Sequence, residues 1–409
     1  MMTSMKSLTR AQLAAIIVAT LGYFVDVYDL ILFSIVRVAS LKELGVPDAD
    51  LLRVGVQLLN SQMFGMLVGG VLWGIWGDKR GRLSVLFGSI LMYSVANIAN
   101  GLVGSVTAYA WLRFIAGVGL AGELGAGITL VSEIMPKEKR GYATTIVATI
   151  GVLGALAAVL VGDVFAWRTA FFIGGGMGVT LLVLRVSVHE SGLFKSLGVE
   201  NVSRGSIVML FNSWERFTRY IKAILTGLPI WCVLGVLVTF SPELARAMGI
   251  AEPVSAGNAV FYAYVGLVAG DLASGLLSQL FQTRRRVLAG FVILTGLCSV
   301  VYLLLPYSTP RMLYMMCVPL GFAAGYWAVF VSSAAEQFGT NLRSTVATSV
   351  PNFVRGAVVP LTFSFEFFTS RVGILNSGII ISVLSASVAL FAVLRSQETF
   401  HRDLNFVER

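Results

Sequence analysis

The chain has 409 residues, 56% hydrophobic and only 12% charged, with a mean hydropathy of +0.83. Soluble domains carry about 25% charged residues, so a water-soluble fold is excluded. The net charge of +9 would point to nucleic acid in a soluble protein; in so apolar a chain it fits basic loops on one membrane surface, and no nucleic acid is expected. The three cysteines, Cys232, Cys298 and Cys317, lie in apolar stretches without paired spacing, and His189 and His401 form no cluster. Neither a disulfide framework nor a metal site is indicated.

Apolar stretches predict twelve spans, near 11–38, 54–77, 83–104, 107–135, 142–164, 168–188, 222–247, 257–281, 287–306, 310–338, 344–369 and 374–396. Each is near the roughly 20 residues that cross a bilayer. The first follows Lys6 and Arg10 and is too long and too charged for a cleaved signal peptide, so it reads as a membrane helix. Within it Asp26 and Asp29 are three apart, on one helix face, with Cα atoms about 5 Å apart. Two carboxylates that close in low dielectric cannot both stay ionised cheaply, which is the outline of a proton-coupling site. The other reading pairs one Asp with an arginine and leaves its neighbour facing an aqueous vestibule. Tyr28, between them, is a candidate substrate contact.

The second and third spans are joined by Gly74-Ile-Trp-Gly-Asp-Lys-Arg-Gly-Arg82. Asp78, Lys79, Arg80 and Arg82 mark a membrane surface, and Gly77 and Gly81 allow a tight turn. The fourth span carries Arg113 and Glu123 and ends in Glu133, with Pro136 and Arg140 after it. A polar stretch, 189–221, then divides the chain into a bundle at 1–188 and a bundle with a short tail at 222–409. Ile207-Val-Met-Leu-Phe211, then Trp214, Phe217 and Tyr220 among Glu215, Arg216 and Arg219, predict a partly helical, interfacial linker. Asp271 lies in the eighth span. The eleventh holds Pro351-Asn352-Phe353-Val354-Arg355-Gly356, with Arg355 about 18 Å into its helix by rise per residue, near the midplane.

The halves repeat weakly. Glu133 to Arg140 answers to Glu336 to Arg343 at an offset near 203, and Gly65, Gly70 and their basic loop answer to Gly270, Gly275 and Arg284-Arg-Arg286. Glu133 and Glu336 are candidate gate elements for those basic loops; a solvated helix end is the plainer reading. With the N-terminus inside, 21 of the 30 Lys and Arg fall on the cytoplasmic side and seven on the outer side, with Arg113 and Arg355 within spans. That asymmetry predicts both termini in the cytoplasm.

The loop at 74–82 resembles the signature between the second and third helices of the major facilitator superfamily, the twelve-helix secondary transporters. Arg113-Phe-Ile-Ala-Gly117-Val-Gly119 is similar to that superfamily's fourth-helix signature, and the following Gly122-Glu123 to its metabolite:proton and sialate/lactate:proton groups. Asp26-Val-Tyr-Asp29 resembles the Asp-x-x-Asp of aromatic acid:proton and sialate/lactate:proton symporters, although Val27 stands where the aromatic acid group usually has Gly. Asn352-x-x-Arg355 is similar to a pattern in carboxylate-carrying relatives. The fifth span, Gly151-Val-Leu-Gly154, lacks the Gly-Pro signature common in drug:proton antiporters.

The resemblance covers nearly the whole chain. It implies an all-α membrane protein: twelve transmembrane helices in two pseudo-symmetric six-helix bundles, with the substrate held between them. It implies a proton-coupled symporter of the cell inner membrane, acting as a monomer without a cofactor. The cargo would be a small organic anion or a zwitterion bearing a carboxylate. Proton coupling would fall to Asp26, Asp29, Glu123 and Asp271, and substrate contact to Arg355, Asn352, Tyr28 and Arg113. Gating would fall to Gly74, Asp78, Arg80, Gly81, Arg82, Glu133, Arg140, Glu336 and Arg343. Arg355 as a salt-bridge partner of Asp26, Asp29 or Glu123 is an even alternative to a clamp on the substrate. Asp271 is a second proton site or a partner of Arg355, and Arg113 is a coupling or structural residue ahead of a substrate contact. The other functions to weigh are a proton-antiport exporter, a carrier of a neutral or cationic solute, and a transporter-like sensor or channel. No catalytic cluster stands out, so an enzyme is not expected.

Overall fold

A computed structural model describes residues 10–135, 137–184, 208–400, 402 and 406–408. Among them the chain is helical almost throughout. In hydrocarbon each backbone N–H and C=O must be satisfied within the span, and a helix does this locally. The units in chain order are α1 (Arg10–Glu43), α2 (Leu51–Arg80), α3 (Arg82–Asn100), α4 (Val106–Leu120 then Glu123–Ile134), α5 (Lys137–Val152 then Gly154–Val164) and α6 (Trp167–Leu184). They continue with α7 (Trp214–Cys232, extended by a π turn Val233–Val238), α8 (Ala256–Leu280), α9 (Arg285–Leu304), α10 (Pro310–Ala324 then Trp327–Glu336), α11 (Arg343–Gly356 then Val358–Val372) and α12 (Ile374–Leu394).

Eleven of these are long and apolar enough to cross a membrane. The twelfth, α11, is less apolar because its first half faces protein: Arg343, Ser344, Thr345, Thr348, Ser349, Asn352 and Arg355 are all buried there. Large apolar side chains such as Leu72, Leu91, Trp111, Leu276 and Phe391 are exposed on the outside of the bundles, where lipid takes the place of water. α7 starts at Trp214, inside the stretch expected as linker, and a short helix, Val208–Phe211, precedes it. The rest of that linker lies outside the described residues.

The helices form two bundles of six. α1 packs on α4, α5 and α6 in the first, and α8 on α10 and α7 on α12 in the second. The bundles meet along two seams, α2 and α4 against α11, and α5 against α8 and α10. The first seam is very tight. A Cβ on Gly125 of α4 would stand 2.2 Å from Thr348 Oγ1 and 2.3 Å from Thr348 Cα, so only glycine allows the backbones to approach this closely. α2 ends where Gly81 adopts φ +97°, a conformation that L side chains rarely adopt, and α3 starts on the next residue.

One end of the molecule, the basic end, carries the α2–α3 and α8–α9 turns and the C-terminal segment. Glu398 accepts from the Thr283 hydroxyl and from the amides of Arg284 and Arg285. Burial works against its charge, but Thr283 and the amides of Arg284, Phe400 and Arg285 outweigh this and hold its carboxyl below the usual range. Thr340 N donates to Phe406 O at 2.9 Å, and Asn341 exchanges two hydrogen bonds with the Glu408 backbone. The tail is thereby tied to the α10–α11 turn.

Candidate functional site

Arg355 stands between the bundles and is 1% exposed. Its depth follows from its place near the end of the first half of α11, two residues before the break at Ala357. Nη2 donates to Asp26 Oδ2 of α1 at 3.2 Å and Nη1 to Asn352 Oδ1 at 3.4 Å. The guanidinium carbon lies 5.5 Å from the centre of the Trp327 ring. Asn352 is fixed in turn, its amide donating to the Ala121 carbonyl at the break in α4, 2.8 Å away, and to Thr348 O. Asp26 Oδ1 and Arg355 Nε make no hydrogen bond within the protein. Each partner of the pair therefore keeps capacity for a further ligand.

Arg355 lines a cavity of about 20 Å³ with Tyr23, Val27, Trp231, Tyr264, Leu267 and Trp327. That is room for about one water, far below the roughly 300 Å³ of a small-molecule site. The inter-bundle site is therefore closed down in this conformation. Its walls are aromatic and aliphatic, with one fixed cation, Arg355, among them.

Asp29 turns away from this cavity although it shares a helix face with Asp26. It lies inside the first bundle, against Gly174 of α6 and facing Arg113 and Asn97. Arg113 donates to the Asp29 backbone carbonyl at 3.4 Å and is held between the rings of Phe33 and Phe171, 5.4 and 5.5 Å away. The two aspartates are still close enough to interact, but each has its own arginine. Glu123 accepts from Ser89 Oγ at 2.7 Å and acts electrostatically on Asp26.

Three expected site residues are placed elsewhere. Tyr28 donates to the Ala170 carbonyl at 2.9 Å and is not on the cavity, because α1 turns it toward α6. Arg113 does not reach the cavity either, since its contacts run to Asp29, Phe33 and Phe171 within one bundle. Asp271 does not pair with Arg355. Its Oδ1 accepts the Ala328 amide at 3.2 Å, at the start of the second half of α10, where free N–H groups favour a carboxylate.

At the basic end Asp78 Oδ2 accepts from Thr345 N at 2.8 Å and Thr345 Oγ1 at 2.6 Å, and Oδ1 from Ser344 N at 3.3 Å. The carboxylate of one bundle thus caps the first turn of α11 in the other. Arg82 bridges Asp78 at 3.4 Å and Glu133 at 2.9 Å, and Glu133 lies 3.9 Å from Arg343. Gly74 packs on the Thr345 backbone. In the second bundle Arg284 pairs with Glu336 at 3.2 Å, repeating the Arg82–Glu133 pair of the first. Arg80 is not part of this network; it is exposed and lies over the Trp76 ring. The side chain of Arg140 lies outside the described residues.

Sequence reasoning did not single out Tyr23, Trp231, Tyr264 and Trp327, which line the cavity, or Asn97 beside Asp29. It also missed a pair at the opposite end, Arg37 of α1 with Glu243 beyond α7, 3.6 Å apart. Near it a cavity of about 230 Å³ opens between Val56, Phe240, Glu243, Thr362 and Phe365. Among the described residues no group of His, Cys, Asp and Glu could hold a metal ion.

Residues 19–361 match the family described as Major Facilitator Superfamily. The chain is 26% identical over 422 residues to the gentisate transporter of Corynebacterium glutamicum, covering 95% of this chain and 89% of that protein. It is 24% identical over 432 residues to the niacin transporter NiaP of Acinetobacter baylyi, covering 95% of each. Among solved structures, the proton:xylose symporter XylE superposes with a TM-score of 0.74 at 16% identity, covering 97% of this chain and 98% of that one.

Proposed function

The chain belongs to the Major Facilitator Superfamily, and from that premise we propose that it is a proton-coupled symporter importing a small organic anion whose carboxylate is met by Arg355. The favoured cargo is a ring carboxylate. The observation that carries this reading is Arg355 itself: a permanent cation buried between the bundles, bonded to Asp26 at 3.2 Å and walled by Tyr23, Trp231, Tyr264 and Trp327. Two relatives support it, since gentisate and niacin are both small ring carboxylates. Val27 lines the same cavity on the α1 side.

In this reading the basic end faces the cytoplasm of a cell with an inner membrane, and the monomer is the working unit, with the second bundle starting at Trp214 rather than at 222. The conformation described is sealed toward the cytoplasm by Asp78, Arg82, Glu133 and Arg343. The substrate arrives from the opposite end and its carboxylate replaces Asp26 on Arg355 through paired N–H···O bonds. Asp26, losing its counter-ion in low dielectric, takes a proton rather than stand as a bare charge. Asp29 beside Arg113 is the second proton-binding carboxylate and Glu123 modulates Asp26. With the charges between the bundles neutralised, the seams are free to rock. Asp271 keeps a structural role at the start of the second half of α10.

Proteoliposomes tested with gentisate and nicotinate, and with nicotinamide as a neutral analogue, should accumulate the two acids only under an inward proton gradient. Asp26→Asn and Asp29→Asn should each abolish gradient-driven accumulation, with exchange surviving in at least one. Equal uptake of nicotinamide, or accumulation in both variants at the parent level, would refute the reading.

A further inference from the structure

The first bundle contains a run of polar side chains that the substrate route does not use. Asn97 and Asn100 share one face of α3, and Tyr109 and Arg113, four apart, share one face of α4. Asn97 and Arg113 face Asp29 of α1, Tyr109 and Asn100 lie one turn further along the same two faces, and all five residues are 0% exposed. Both side-chain polar atoms of Asn97 and Asn100, the Tyr109 hydroxyl, Nε and Nη1 of Arg113 and both oxygens of Asp29 make no hydrogen bond within the protein. Asn97 and Arg113 face the Asp29 carboxylate, yet neither reaches hydrogen-bonding geometry on its oxygens.

Buried polar groups almost always have a partner, from the protein or from ordered water. Here the protein supplies only the loose approaches of Asn97 to Asp29 and of Ser40 to Tyr109, neither of hydrogen-bonding geometry. A bound cation does not fit, because the permanent charge of Arg113 faces the same carboxylate. An apolar ligand would leave every group unmet. Water fits, since it both donates to Asp29 and the amide oxygens and accepts from Arg113 and the amide nitrogens.

The run also has a direction. Asn100 is the last residue of α3, and Arg113 lies about 10 Å in from the start of α4 at Val106 by rise per residue. Both helix ends lie at the end opposite the basic one. Tyr109 lies between, near Ser40, which is itself buried. Phe33, Trp167 and Phe171 pack around Tyr109 at 5.6, 6.0 and 6.0 Å, and none of the five residues lines the inter-bundle cavity.

We propose that this run is a hydrated path within the first bundle that delivers the coupling proton from the opposite end to Asp29, apart from the route of the substrate. It rests on the proton-coupled reading above. A proton entering near Asn100 passes along the waters, each oxygen gaining one O–H bond and giving up another, and ends as an O–H bond on the Asp29 carboxylate. The groups facing that carboxylate are Arg113 from α4, Asn97 from α3, and Asp26 and Tyr28 from α1.

Two measurements test it. Radiolytic footprinting of the full chain in nanodiscs, with oxygen-18 water, should label Tyr109 despite its burial. Tyr326, equally buried but with its hydroxyl on the Thr226 carbonyl, serves as the dry reference. Labelling of Tyr109 no greater than that of Tyr326 overturns the path itself. In proteoliposomes, Asn100→Leu should slow gradient-driven gentisate uptake at least tenfold while gentisate exchange keeps the parent rate, and Asn100→Ser should restore coupling. A variant in which driven uptake is unchanged, or falls together with exchange, overturns the proton role. If the parent ignores the gradient, the coupled reading fails, the path loses its role, and footprinting alone still reports whether it is wet.

Discussion

Arg355 meets three kinds of partner at once: the Asp26 carboxylate, the Asn352 amide and the face of Trp327. A planar fork satisfies all three, and a lysine ammonium satisfies one at a time. Arg355→Lys keeps the charge and so should fold and insert. Gentisate binding to it in detergent should weaken at least about tenfold, roughly 1.4 kcal/mol; unchanged affinity would move Arg355 to a structural role. The residues Asp26, Asp29, Arg113, Asn352 and Arg355 were legible in the sequence because a polar or charged group in a span needs a reason. Their pairing was not. Three residues on a helix leave Asp26 and Asp29 on one face but diverging by about 60°, from 3.6 residues per turn, and only the packed neighbours decide that one meets α11 and the other α3 and α4. The aromatic wall was hidden for a different reason: Tyr and Trp are common in apolar spans, and nothing in their spacing marks the four that face Arg355.

The elements that carry the site are broken ones. α4 changes at Ala121–Gly122, α10 at Gly325–Tyr326 and α11 at Ala357. The first two breaks put backbone groups within reach of a side chain from elsewhere, with Asn352 on the Ala121 carbonyl and Asp271 on the Ala328 amide. Apolar run length predicts that a helix crosses, but a run does not record whether the helix is continuous. The tight seam also belongs at this scale. Gly125→Leu cannot be accommodated while α4 and α11 are in contact, because Thr348 backbone stands in the way. The variant should therefore populate the form open at the basic end. Ser332→Cys, partly buried beside Thr144 across the second seam, should react with maleimide severalfold faster in the Gly125→Leu background, read at that peptide by mass spectrometry. Equal reactivity would mean that this seam does not govern closure.

At the scale of the whole molecule two bundles are joined by ion pairs at both ends and by one at the centre. The basic end is closed by Asp78, Arg82, Glu133 and Arg343, the centre by Arg355–Asp26, and the opposite end holds Arg37–Glu243 beside a cavity of about 230 Å³. The two-fold repeat was visible in the sequence as paired Glu and Arg positions, and it returns as two equivalent pairs, Arg82–Glu133 and Arg284–Glu336. What the repeat does not contain is the asymmetry of the site, with Asp26, Asp29 and Glu123 in the first bundle and Arg355 in the second. A central ion pair that opens for a carboxylate and takes up a proton requires the two to move together. The direct test is pyranine trapped inside proteoliposomes at equal pH on both sides, with entry into protein-free vesicles subtracted. Adding gentisate outside should acidify the lumen in step with entry of labelled gentisate. Entry of labelled gentisate with no change in lumenal pH would contradict the account.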